Sequence, residues 1–211
     1  MPVPILGYIY FVASLVPVSV GFVRFRSIGR PMKVLTVLCV LSLVSATAAF
    51  ILGRFNINNH FISNAYMPVE VVLIMLVYFF SARVTKHRRV LVGSAVLFVA
   101  VWIIDKVLFE IPNQISSRMA LVSRLLLIAS SLFMISVASN DATAKLSDKA
   151  VFWIAAGVIL YSAGTFIGVG LANRLLELNV TLFDIAWHIN WSLLIISNLF
   201  YTKGLLCKSQ Q

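Results

Sequence analysis

Residues 61–89 read FISNAYMPVEVVLIMLVYFFSARVTKHRR. The first 22 of them carry one charge, Glu70, while the last seven carry Arg83, Lys86, Arg88 and Arg89. About 20 apolar residues in a helix cross a hydrocarbon core of about 30 Å, and cytoplasmic loops collect Lys and Arg. The stretch therefore predicts a membrane-spanning helix that ends on the cytoplasmic side. A barrel strand is about 10 residues of alternating apolar and polar character, which this unbroken run is not.

The same reading extends outward to six further runs. In order, the seven are Ile5–Val23, Leu35–Leu52, Phe61–Ala82, Val90–Leu108, Met119–Ala138, Val151–Leu171 and Leu182–Leu206. The chain is 61% hydrophobic and 11% charged, with a mean hydropathy of +0.99. A soluble domain is about one-quarter charged. The fold class expected is all-α: a single seven-helix transmembrane domain over residues 1–211. The short connections leave no room for a soluble domain.

Charge gives the orientation. Between the odd-to-even runs and at the C-terminus lie Arg24, Arg26, Arg30, Lys33, Arg83, Lys86, Arg88, Arg89, Lys145, Lys149, Lys203 and Lys208, against Asp141 and Asp148. The other side holds Arg54, Lys106, Arg118, Arg124 and Arg174, balanced by Glu70, Asp105, Glu110, Glu177 and Asp184. The whole formal +10 thus falls on one side, which predicts the N-terminus outside and the C-terminus in the cytoplasm. Basic charge spread over short juxtamembrane loops is a topology signal and an attraction to anionic lipid, so nucleic-acid binding is not expected. The cluster Arg83, Lys86, Arg88 and Arg89 can also dock an acidic cytoplasmic partner.

Met1 to Gly7 carries no basic segment and Pro17 interrupts the first run, so that run reads as an anchor rather than a cleavable signal. Cys39 and Cys207 form no CxxC pair and support neither a disulfide nor a metal site. Asn179-Val180-Thr181 fits the glycosylation sequon but abuts a span. Gly157, Gly164 and Gly168 allow another helix to approach the sixth run closely. Acids in the third and seventh runs, each followed by an aromatic pair, suggest a parallel repeat of three helices around the fourth.

The best functional pointers are polar side chains inside the spans. A charge at the bilayer centre costs roughly 2.5–3.5 kcal/mol on insertion scales. Counting about 1.5 Å per residue, Asp105, Arg124 and Asp184 fall roughly 6–8 Å deep, and Glu70 and His188 roughly 12–14 Å. Asp184, His188 and Trp191 share one stripe of the last helix; Asn64, Tyr66 and Glu70 lie close together on the third; Trp102 neighbours Asp105 on the fourth. Facing inward, these side chains make an aromatic-lined polar pocket open to the outside. Glu70 has two readings: an ion pair with Arg124 that fixes helix packing, or contact with a ligand, ion or proton. Pro68 frees the Asn64 carbonyl beside it.

No set of residues has catalytic spacing, and no HExxH is present. His60, His188, Glu70 and Asp184 have the right types for a metal-dependent hydrolase, but without diagnostic spacing. The last run lacks a mid-span lysine for a retinal Schiff base. No cofactor is indicated.

The segment from Asn58-Asn59-His60-Phe61 through Tyr66-Met67-Pro68-Val69-Glu70, with Trp187-His188-Ile189-Asn190 and Asn198-Leu199-Phe200-Tyr201, resembles uncharacterised seven-span bacterial integral membrane proteins. These are similar in topology to the membrane sensor regions of some histidine kinases. The resemblance implies a bacterial cytoplasmic membrane protein that senses a ligand; with no output domain attached, it would signal through a partner. The function expected is a receptor-like, ligand-binding protein. The rival reading is a small-solute or ion transporter using the same acids.

Overall fold

The computed structural model describes residues 5–55, 57–109, 116–141, 144–168 and 180–207. Among them are seven α-helices: α1 (Ile5–Val23), α2 (Arg30–Arg54), α3 (His60–Ser81), α4 (Thr85–Phe109), α5 (Ser117–Ser139), α6 (Ala150–Gly168) and α7 (Val180–Leu206). One 3₁₀ turn, Leu146–Asp148, precedes α6, and no strand occurs among the described residues. Glu110, Arg174, Glu177, Asn179, Lys208 and the expected outer turn at 172–179 lie outside the described residues.

Helices α1 to α5 are long and apolar enough to cross a membrane. They are compatible with a multi-pass integral membrane protein. The surface agrees: Val96, Leu97, Val107 and Leu108 on α4 are 63–76% exposed. Water would penalise so much apolar area, whereas lipid does not.

Two helices start well before their apolar runs. Helix α2 begins at Arg30, five residues before Leu35, because extended Gly29 and Pro31 in the first turn favour a helix start there. Helix α4 begins at Thr85 and carries Lys86, Arg88 and Arg89 in its first turns. Pro17 leaves α1 continuous, and Pro68 does the same in α3.

Successive helices neighbour one another, and α7 closes the ring against α1. Helix α3 also touches α5, which leaves α4 packed outside the α3–α5 edge. Helix α4 is thus peripheral to the other six. It buries only the narrow stripe of Leu91, Phe98 and Asp105, whereas α3 buries Asn64, Met67, Glu70, Val71, Ile74, Met75, Val77 and Tyr78.

Small residues set the closest approaches. A Cβ on Gly157 would stand 2.8 Å from the Tyr201 ring, and one on Gly164 would stand 2.7 Å from Leu193, so α6 and α7 meet backbone to side chain. Gly21 meets Thr36 in the same way between α1 and α2. Polar ties are sparse and directional. The Tyr78 hydroxyl lies 2.7 Å from Ser131 Oγ across α3 and α5, and Thr165 donates to Asn190 Oδ1 at 3.3 Å across α6 and α7. Many interior hydroxyls bond back to their own helix, including Thr36 to the Met32 carbonyl and Ser197 to the Leu193 carbonyl.

Basic residues close one end of the bundle. Arg24 donates to the Leu205 carbonyl at 2.6 Å, Arg88 to the Ala82 carbonyl at 2.8 Å, and Lys149 to the Ala138 carbonyl at 2.8 Å. The last turn of a helix leaves carbonyls without amide partners and carries partial negative charge, so cations stabilise it. Asp141 joins Arg83 at 3.3 Å and Lys149 at 3.7 Å, linking the segments after α3 and α5 to the start of α6. These contacts place the C-terminal ends of α1, α3, α5 and α7 together.

Candidate functional site

Glu70 is the tenth residue after the start of α3, about 15 Å along its axis. Its stripe faces the interior because Met67, Val71 and Ile74 pack on the same side. Arg124 is seven residues into α5, about 10 Å along the axis. Its Nη2 stands 2.8 Å from Glu70 Oε2, with side-chain exposures of 6% and 5%. The fold forms the ion pair of the first reading.

The Arg124 guanidinium also lies over the Tyr161 ring, 4.6 Å from its centroid. This cation–π contact joins α5 to α6, and desolvation strengthens it. The Tyr161 hydroxyl approaches the Glu70 carboxylate. Nε and Nη1 of Arg124 find no hydrogen-bond partner among the described residues.

A cavity adjoins Glu70, and Arg124 is not among its lining residues. Its walls are Tyr10 and Ser14 of α1, Cys39 and Ser42 of α2, Tyr66 and Glu70 of α3, Tyr161 of α6, and Ser197, Asn198 and Tyr201 of α7, with Leu38 and Leu194. The space open to the centre of a water-sized sphere is about 30 Å³. One water needs about 10–15 Å³ on that measure, so the cavity holds two waters or a molecule of a few heavy atoms. Ser42 is approached by the hydroxyls of both Tyr10 and Tyr66. Five helices contribute, four near mid-length and α7 from its C-terminal half.

The other sequence-derived site residues fall in two separate places. Asn64 and Asp105 are buried at the end of the bundle opposite the basic one. There Ser116 donates its hydroxyl to Asp105 at 3.2 Å and its amide to Asn64 Oδ1 at 3.3 Å. Together they hold the start of α5 against α3 and α4. Trp102 lies beside them, with Lys106 5.9 Å from its ring. Asp184 is exposed on α7, and its backbone carbonyl lies 2.6 Å from His188 Nδ1. The His188 ring meets Trp191 edge-on at 5.8 Å. The structure thus joins Tyr66, Glu70 and Arg124, and keeps Asp184, His188, Trp191, Asp105, Trp102 and Asn64 away from the cavity. Stripe spacing places a side chain on its own helix; it does not say which neighbour that face meets.

No three His, Cys, Asp or Glu side chains cluster among the described residues, so His60, His188, Glu70 and Asp184 do not assemble a metal set there. Sequence reasoning missed Tyr10, Tyr161 and Tyr201. The available signal was depth: Tyr prefers the membrane interface, and Tyr161 stands in the middle of its run, where its hydroxyl needs a protein partner. Cys39 was weighed only for disulfides and metals, yet it lines the cavity.

No protein-family model matches the chain, and no curated protein or solved structure matches it.

Proposed function

We propose that this is a seven-span protein of the bacterial cytoplasmic membrane, with its N-terminus outside, that binds a small ligand between its helices. Binding changes helix packing, and a cytoplasmic partner reads the change at the basic end. The observation that carries this reading is the cavity bordered by Glu70 and held between five helices. A ligand there touches α1, α2, α3, α6 and α7 at once, so it can bias how they pack. The pocket expected to open outward is, in this reading, a mid-bundle one. Exposed Lys86 and Arg89, with Arg83, offer the partner contact; Arg88 is turned back onto the Ala82 carbonyl.

A transport reading has one specific support. Ser197, Asn198 and Tyr201 extend the polar lining along α7 toward the basic end, and transporter sites sit near the bilayer midplane.

Reconstitution separates the two. Proteoliposomes carrying an internal pH dye and challenged with a proton gradient are expected to show no flux, and acetamide is expected to cause no protein-dependent swelling. Flux that disappears in Glu70→Gln would replace the receptor reading with transport. Orientation is checked by labelling Ser27→Cys and Phe55→Cys in a Cys39→Ser, Cys207→Ser background with an impermeant maleimide in intact cells. Only the Phe55 position should react.

A further inference from the structure

We infer that the mid-bundle cavity takes a small uncharged molecule bearing a hydroxyl or amide group, and that the Glu70–Arg124 pair sets this preference. The inference rests on the ligand-binding reading above and names the chemical class of the ligand.

Three observations combine. Among the described residues, Glu70 is the one carboxylate on the cavity wall, and no Lys, Arg or His lines it. Arg124, which is not in that lining, compensates the Glu70 charge at 2.8 Å. Any ion in the cavity would therefore add a net charge to a desolvated interior, which is far costlier than adding a neutral polar group that finds hydrogen bonds.

The rest of the wall supplies those bonds in both senses. Tyr10, Tyr66, Tyr161, Tyr201 and Ser42 each carry a hydroxyl that donates and accepts, and Asn198 carries an amide that does the same. A purely anionic ligand would leave the acceptors without donors, and a cation would leave the donors without acceptors. A hydroxyl or amide compound matches both. The volume of about 30 Å³ limits it to a few heavy atoms, far below a drug-sized pocket.

The pair also makes the preference switchable. Remove the Glu70 charge and Arg124 remains ionised behind the wall, so the cavity turns positive. Remove the Arg124 charge and the carboxylate on the wall is left without compensation.

The test compares acetamide, acetate and methylammonium, which are of similar size and differ in charge, on the purified full chain in detergent. Acetamide should raise the melting temperature with concentration, and the two ions should bind at least about tenfold more weakly. Glu70→Gln should move the preference to acetate, and Arg124→Gln should move it to methylammonium. The double variant Glu70→Gln, Arg124→Met should gain neither ion. In Cys207→Ser, which leaves Cys39 as the single thiol, acetamide should slow the reaction with methyl methanethiosulfonate.

A wild-type preference for acetate or methylammonium overturns the inference and leaves the ligand-binding reading standing. No response to any of the three overturns both. An unchanged Cys39 reaction rate in bound protein places the ligand elsewhere and defeats the inference. If the single variants do not fold, the wild-type series and the Cys39 rate still decide.

Discussion

Glu70 with Arg124 and Asp184 with His188 look alike as sequence: in each, an acid and a base lie in the outer half of the spans. In the fold they part company. The first pair joins two helices through a 2.8 Å ion pair with both side chains at most 6% exposed. In the second, the His188 ring meets the Asp184 backbone carbonyl and the Trp191 ring, both on α7 itself, and Asp184 is exposed. The contrast shows that depth in the membrane does not make a buried site. Convergence of two helix faces does.

The comparison can be broken by substitution, with stability read from unfolding in detergent. The largest effect is expected for Glu70→Gln or Arg124→Met alone, at about 3–5 kcal/mol, because each leaves a buried charge without its partner. The double variant Glu70→Gln, Arg124→Met should recover most of that loss. A double variant as unstable as the sum of the singles would mean that the pair is not the unit of stability.

Gly157→Ala comes next, at about 1–3 kcal/mol, from overpacking against the Tyr201 ring. Because Tyr201 lines the cavity, the same variant should also weaken acetamide binding, and unchanged binding would show that the ring moves away from the cavity instead. Tyr78→Phe removes one buried hydrogen bond to Ser131, which keeps its own bond to the Leu127 carbonyl at 2.6 Å. Its cost should be about 1 kcal/mol. Asp184→Asn and His188→Ala should stay within about 0.5 kcal/mol of wild type. A loss as large as that of Glu70→Gln would erase the distinction between the two pairs.

Much of the scaffold was legible in the chain itself. The run ending at Ala82 and the basic cluster after it identify α3 and the end at which it terminates, and the basic loops do gather at one end of the bundle. What those loops do there was not legible. Arg24, Arg88 and Lys149 act on helix carbonyls, and charge counting does not see the one that lies 181 residues from Arg24. The cavity was half legible. Tyr66 and Glu70 belong to it, but Tyr10, Tyr161 and Tyr201 come from three other helices whose proximity no single periodicity records.

Sequence by itself determined that these residues form long apolar helices, that Glu70 sits on the inward stripe of α3, and that the basic side chains share one end. Those properties follow from composition and from the 3.6-residue period within one helix. Tertiary structure alone decided that α4 stands outside the ring, that Glu70 and Arg124 close their ion pair, and that four tyrosines meet around one cavity. In an apolar environment burial does not choose between neighbours; close contact does, and it depends on Gly157, Gly164 and Gly21 admitting the side chains opposite them.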